Sequence, residues 1–270
     1  MALAASLGTW LVTALGAAVV IFFRNPPRGA LNMMLGFSAG VMLAASVWSL
    51  LLPSMEQARA LLRVPAWLVA GLGLLAGAGF LWGTDKLIAA CAGANASRQA
   101  KRGKPAEKKG ARGRAWLLIF SITLHNIPEG LAVGVAFGGL AALAGGASPE
   151  ALMGAVSVSV GIGIQDFPEG AAVSLPLRQG GMNRGRAFFW GQASGLVEPI
   201  AAMVGAALAM GVRQLLPWLL AFSAGAMILV CTHELIPASH EGDGEVLSYA
   251  PTIGLILGFV LMMGLDVALG

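Results

Sequence analysis

Carboxylates and a histidine stand in the middle of long apolar runs, in two segments that repeat one another. Leu124-His125-Asn126-Ile127-Pro128-Glu129-Gly130 and Ile164-Gln165-Asp166-Phe167-Pro168-Glu169-Gly170 match at an offset of 40 residues. On a helix, positions i and i+4 share a face, so His125 lies above Glu129 and Gln165 above Glu169. Asn126 and Asp166 point about 100° away, toward a second location. Pro128 cannot donate to the carbonyl of Leu124, nor Pro168 to that of Ile164, which predicts a kink and a freed oxygen beside each polar group. A third apolar run adds Glu198-Pro199. If Glu129, Asp166, Glu169 and Glu198 converge they bring a charge of −4, tolerable at low dielectric only when protonated or neutralised by cations. Two divalent ions balance that sum, and no Lys or Arg lies beside these groups to do so. Carboxylate, imidazole and amide oxygen without thiolate suit Zn²⁺ and Fe²⁺ better than Cu⁺, and the histidine argues against a site dedicated to Mg²⁺ or Ca²⁺. Six or seven potential donors fit an open, exchangeable site rather than a closed structural one.

The elements that must position these groups are membrane helices. Of 270 residues 57% are hydrophobic and only 11% charged, and the mean hydropathy is +0.78. A soluble domain of this size could not hide so much apolar surface. Eight apolar runs, about 3–23, 31–52, 65–90, 115–143, 151–177, 186–211, 215–237 and 247–269, approach the roughly 20 residues that a helix needs to cross a bilayer. Together they make one transmembrane domain over residues 1–270. Between Arg98 and Arg114 lie eight Lys/Arg and one Glu, a local balance of +7 within a net charge of +4. That run contains no aromatic, which argues against nucleic acid as a partner. Residues 92–114 read as a basic, disordered loop on the cytoplasmic side. Placing loops 1–2, 3–4 and 5–6 in the cytoplasm puts 14 of the 17 Lys/Arg there and leaves both termini outside. Cys91 and Cys231 are far apart in apolar context and indicate neither a disulfide framework nor a thiol metal site.

At His125-Asn126-x-Pro128-Glu129-Gly130 and x-Asp166-x-Pro168-Glu169-Gly170 the sequence resembles the ZIP (Zrt/Irt-like protein) family of divalent metal transporters, its bacterial members especially. The central basic loop and the eight spans extend the likeness over essentially the whole chain. The resemblance implies an all-α, polytopic 3+2+3 bundle with inverted-repeat character, the fourth and fifth helices lining the pathway. It further implies a binuclear site at mid-membrane, in a multi-pass protein of the bacterial inner membrane. One ion would be held by His125, Glu129, Gln165 and Glu169. The other would be held by Asn126, Asp166 and Glu198, with Glu129 and Glu169 bridging. An entrance at Met42 and an exit near Asp85, His233 and Glu234 follow from the same likeness; a homodimer is a separate expectation for its assembly. Two features depart from the family pattern: many members have His where this chain has Gln165, and many have a His-rich central loop, whereas this loop has none.

The function expected is transport of Zn²⁺ and related ions (Cd²⁺, Fe²⁺, Mn²⁺) into the cytoplasm, with two ions bound as substrate and none as catalyst. The partners are divalent metal ions and the lipid bilayer. An intramembrane metalloenzyme that hydrolyses with a carboxylate-bound metal, and a metal sensor without flux, are the alternatives. The duplicated Pro-Glu-Gly motif favours a two-sided path. Thr232-His233-Glu234-Leu235-Ile236-Pro237 resembles the HExxH signature of zinc proteases, but its fifth position is Pro237 rather than His. No GxxxxGK[ST] phosphate loop occurs.

Overall fold

Eight helical spans account for nearly all of the residues described by the computed structural model, which are 1–23, 27–100, 107–141, 148–240 and 249–269. They are α1 (Ala2–Phe22), α2 (Arg28–Leu61), α3 (Ala66–Ala100), α4 (Glu107–Ala141), α5 (Pro149–Gln179), α6 (Arg184–Gly211), α7 (Arg213–Ser239) and α8 (Ala250–Leu269). No strand occurs among the described residues. Seven of the eight are long and apolar enough to cross a membrane, and α4, which carries the first motif, packs among them. Leu11, Leu15, Trp67, Leu75, Ile200, Ile256 and Val260 are exposed on the outside of the bundle. A belt of large apolar side chains facing outward is what a lipid environment requires. The protein is a polytopic all-α membrane protein.

The spans start and stop for local reasons. Ser148 caps α5 by accepting from the Ala151 amide at 3.2 Å, with Pro149 at the first helical position. Asn183 caps α6 in the same way, through the Arg186 amide at 2.8 Å. Between them Gly181 takes φ +95°, a conformation that favours glycine, to turn the chain. Helix extends beyond the apolar runs, in α3 to Ala100 and in α4 from Glu107, so it enters the segment expected to be a loop. Ala, Arg, Gln, Lys and Glu there are good helix formers once a helix is nucleated. Residues 101–106 lie outside the described residues.

Four helix pairs hold the bundle together: α1 with α5, α4 with α6, α2 with α8, and α3 with α7. Each is closed by glycine lying directly against partner backbone: Gly170 on Thr13, Gly134 on Ala202, Gly40 on Leu255, Gly77 on Phe222. In lipid there is no hydrophobic drive between helices, and such close approach supplies van der Waals and Cα–H···O contact instead.

These pairings expose a second internal repeat. Phe37-Ser38-Ala39-Gly40-Val41-Met42 of α2 matches Phe222-Ser223-Ala224-Gly225-Ala226-Met227 of α7 at an offset of 185. Gly73, Gly77, Gly83 and Asp85 of α3 match Gly254, Gly258, Gly264 and Asp266 of α8 at an offset of 181. Thr9 and Gly16-Ala17-Ala18 of α1 match Glu198 and Gly205-Ala206-Ala207 of α6 at an offset of 189. With α4 matching α5, the pair α1–α5 maps onto α6–α4, and α2–α8 onto α7–α3. Equivalent helices lie an odd number of crossings apart and therefore run in opposite directions, which is the inverted-repeat architecture of transporters.

Candidate metal centre

Both copies of the motif lie in continuous helix, and α4 and α5 pass through Pro128 and Pro168 without a break. The third contributor is built differently. Helix α6 is interrupted at Gly195-Leu196, and Glu198 stands in the first turn where it resumes. A carboxylate there meets the positive end of a helix dipole, a feature that an apolar run read as one helix does not reveal.

His125, Asn126, Glu129, Gln165, Asp166, Glu169 and Glu198 are all buried, none more than 7% exposed. Carboxylate oxygens of Glu129, Asp166 and Glu198 lie within 4.8 Å of one another. Gln165 Nε2 donates to Glu129 Oε1 at 2.5 Å, tying the second motif to the first. Asn126 Nδ2 donates to Ser194 O at 3.1 Å and to Glu198 Oε1 at 3.3 Å, which leaves Asn126 Oδ1 without a partner. Glu129 Oε2, Gln165 Oε1 and Asp166 Oδ2 are likewise buried and unpartnered. Buried acceptors normally find donors, so four such oxygens, two of them on the grouped carboxylates Glu129 and Asp166, are what a cation would satisfy. Among the described residues no Lys or Arg forms an ion pair with Glu129, Asp166, Glu169 or Glu198.

His125 and Glu169 stand beside the three-carboxylate group rather than in it. Both line a cavity of ≈ 350 Å³, together with Leu35, Ala172, Pro176 and Glu234. His125 Nε2 lies 3.0 Å from Glu234 Oε1, out of line for a hydrogen bond. Of the expected exit residues, Glu234 therefore faces the cavity while His233 is exposed on the surface. The Asp85 side chain lies outside the described residues. Met42 is buried in the main apolar core.

Several hydroxyls complete the site, and reading the motifs alone overlooks them. Thr9 Oγ1 donates to Glu198 Oε2 at 2.6 Å and Thr13 Oγ1 to Glu198 Oε1 at 3.4 Å. Ser38 Oγ lies 3.2 Å from Glu169 Oε1 and 3.3 Å from the Gln165 carbonyl. Further along the bundle Asp266 accepts from Ser49 at 2.6 Å and from Ser157 at 2.8 Å. Three of these residues carry the signal of the second repeat: Thr9 is the counterpart of Glu198, Ser38 of Ser223 and Asp266 of Asp85. Thr9 and Glu198 are equivalent residues in contact, so the pseudo-twofold axis runs through the carboxylate group. Replacing Thr9 by the near-isosteric valine withdraws the shortest hydrogen bond to the buried Glu198 carboxylate group. Zinc affinity of the purified protein, measured by titration calorimetry, should fall roughly tenfold. Thr13→Val, with the longer contact, should cost less, and equal losses would contradict the geometry.

The profile of the ZIP Zinc transporter family matches residues 1–266. The chain belongs to the ZIP zinc transporter family. Zinc transporter ZIP11 of Xenopus tropicalis is 38% identical, over 98% of this chain and 96% of the relative. Zinc transporter GufA of Myxococcus xanthus is 37% identical, over 99% of this chain and 98% of that protein. Zinc transporter ZIPB of Bordetella bronchiseptica is 37% identical, over 96% of this chain and 78% of its own length. As a ZIP family member the protein is a membrane metal transporter and not an enzyme. His233 and Glu234, the protease-like pair, lie in a π-helical turn, Cys231–Leu235, just before Pro237. That turn is the opening a proline forces on the helix that precedes it.

Proposed function

We propose that the protein carries Zn²⁺, and with it Cd²⁺, Fe²⁺ and Mn²⁺, into the cytoplasm through a site that holds two ions. The observation that carries this reading is the set of buried, unpartnered oxygens on Asn126, Glu129, Gln165 and Asp166 beside the Glu198 carboxylate. One ion is taken by Asn126, Asp166 and Glu198. The other is taken by His125, Gln165 and Glu169, with Glu129 reaching both through its two oxygens; Glu169, expected as a second bridge, stands outside the three-carboxylate group and is assigned to this ion alone. Glu234 receives the ion as it leaves through the cavity, whose lining extends to Arg28 at the start of α2 and Gln179 at the end of α5, on one side of the bundle. The excess of Lys and Arg on that side makes it cytoplasmic, in a bacterial inner membrane with both termini outside. Uptake of each metal by proteoliposomes, with metal counted per purified protein, tests flux and stoichiometry together. One ion per chain would exclude the second position, and binding without flux would make the protein a sensor.

Gln165 tunes this site. Its amide oxygen is a weak neutral donor, whereas imidazole is a favoured zinc ligand. Gln165→His should lower the half-saturating Zn²⁺ concentration by roughly tenfold, about 1.4 kcal/mol. It should also lower the maximal rate, because the ion must leave as well as bind. The effect on Mn²⁺, which prefers oxygen, should be smaller. Concentration-dependent uptake of both metals makes the comparison, and unchanged half-saturation for both would remove Gln165 from the ligand set.

A further inference from the structure

Two buried serines occupy equivalent places in the two halves of the chain and are bonded differently. Ser38, in the Phe-Ser-Ala-Gly segment of α2, has its hydroxyl 3.2 Å from Glu169 Oε1. Ser223, in the same segment of α7, is 1% exposed, and its Oγ forms no hydrogen bond. A serine within a helix usually returns its hydroxyl to a carbonyl one turn earlier, as Ser46 does to Met42 at 2.7 Å. Ser223 does not, and leaving a buried hydroxyl unpaired costs free energy. The repeat pairs Glu169 with Glu129, whose Oε2 is also buried without a partner. One half therefore has a serine–glutamate contact, and the other has both members of that contact present but apart.

The cavity breaks the symmetry in the same sense. It opens beside Ser38, lined by Leu35, Glu169 and Ala172, whereas Ala132, the repeat counterpart of Ala172, is 0% exposed. In an inverted repeat, exchanging the conformations of the two halves closes this side and opens the other. We propose that Ser223 is a positioning residue for Glu129: it binds that carboxylate when the opposite side is open, and Ser38 then releases Glu169. The two hydroxyls hold the two carboxylates alternately, so that each state of access has one serine–glutamate contact made and one broken. This rests on the reading of Glu129 and Glu169 as metal-holding carboxylates.

Cysteine labelling of the purified full-length protein in detergent, where both sides are accessible, tests it. The background is Cys91→Ser with Cys231→Ser, a change supported by Ser46 at the position equivalent to Cys231. Ala172→Cys reports opening of the observed cavity, and Ala132→Cys reports opening of its mirror image. Ser38→Ala should speed maleimide labelling at 132 and slow it at 172. Ser223→Ala should slow labelling at 132, each by roughly threefold or more, because labelling follows the population of the open state. Ser223→Thr, which keeps a hydroxyl, should restore the rate at 132. A lesion that only loosened packing would move both serine variants in the same direction. A shift in one direction for both, or one rate at 132 in all backgrounds, overturns the proposal. Zinc binding by Glu129→Gln separates this from failure of the site reading: unchanged zinc binding there removes the carboxylate from the site, whatever the serines do.

Discussion

Glu129→Gln should abolish zinc transport and, in the absence of zinc, make the protein more stable. The two effects have opposite signs because they come from the same charge. Glu129 is 0% exposed, lies within 4.8 Å of the Asp166 and Glu198 carboxylates, and accepts a hydrogen bond from Gln165. Without a cation Glu129 must either take up a proton or stand as an uncompensated anion beside two other buried carboxylates, and glutamine relieves the fold of either cost. Glutamine is nearly isosteric, so neither packing nor the apolar spans that drive insertion change. With zinc present, the loss of the ligand that the proposed two-ion site shares should reduce flux roughly a hundredfold or more, beyond the 10–100-fold typical of residues that merely support ligands. The wild-type protein should melt at a higher temperature as zinc is added, since a ligand of the native state stabilises it by mass action. In Glu129→Gln that rise should vanish, leaving a curve that starts at or above the zinc-free wild type. Proteoliposome uptake and a melting series with and without zinc measure both halves. Wild-type flux in this variant would exclude Glu129 from the path.

What could be seen in the sequence and what could not divides along a physical line. A carboxylate in an apolar run is conspicuous because lipid penalises it, so Glu129, Asp166, Glu169 and Glu198 stand out at once. Thr9, Thr13 and Ser38 do not, since small hydroxyls are ordinary in membrane helices and bond their own backbone. Their contact with Glu198 and Glu169 depends on which helices pair, and pairing is decided by glycines whose partners lie 68 to 215 residues away. The same limit applies to neighbours. His233 and Glu234 are consecutive and both ligand-like, yet consecutive residues point about 100° apart on a helix. Only Glu234 meets the cavity. The 40-residue repeat was legible because its motif is polar and compact. The 185-residue repeat is just as good a match, but it consists of small apolar residues that resemble any membrane helix.

Gly130→Ala should cost both stability and zinc affinity, although glycine has no ligand to offer. A Cβ at position 130 would lie 2.8 Å from Glu198 Cα and 2.9 Å from Ala201 Cβ, with the Glu198 carbonyl oxygen closer still. None of these is the far end of a flexible side chain, so helices α4 and α6 must move apart. Overpacking of this kind typically costs about 1–3 kcal/mol, and backbone that cannot rotate away puts this case at the upper end. The displaced backbone is that of Glu198, which is held to Asn126 at 3.3 Å and belongs to the carboxylate group. Separation of the helices therefore widens the cation site as well as the interface. Gly134→Ala meets Ala202 Cα at 2.7 Å one turn further along. It should destabilise the pair to a similar degree with a smaller loss of zinc affinity. Gly154→Ala, with nothing within 4 Å of its Cβ, should melt at or above the wild-type temperature. Thermal melting and zinc titration of the three variants test the gradient. A Gly130→Ala protein that loses stability but binds zinc normally would show that the packing of α4 on α6 does not set the position of Glu198.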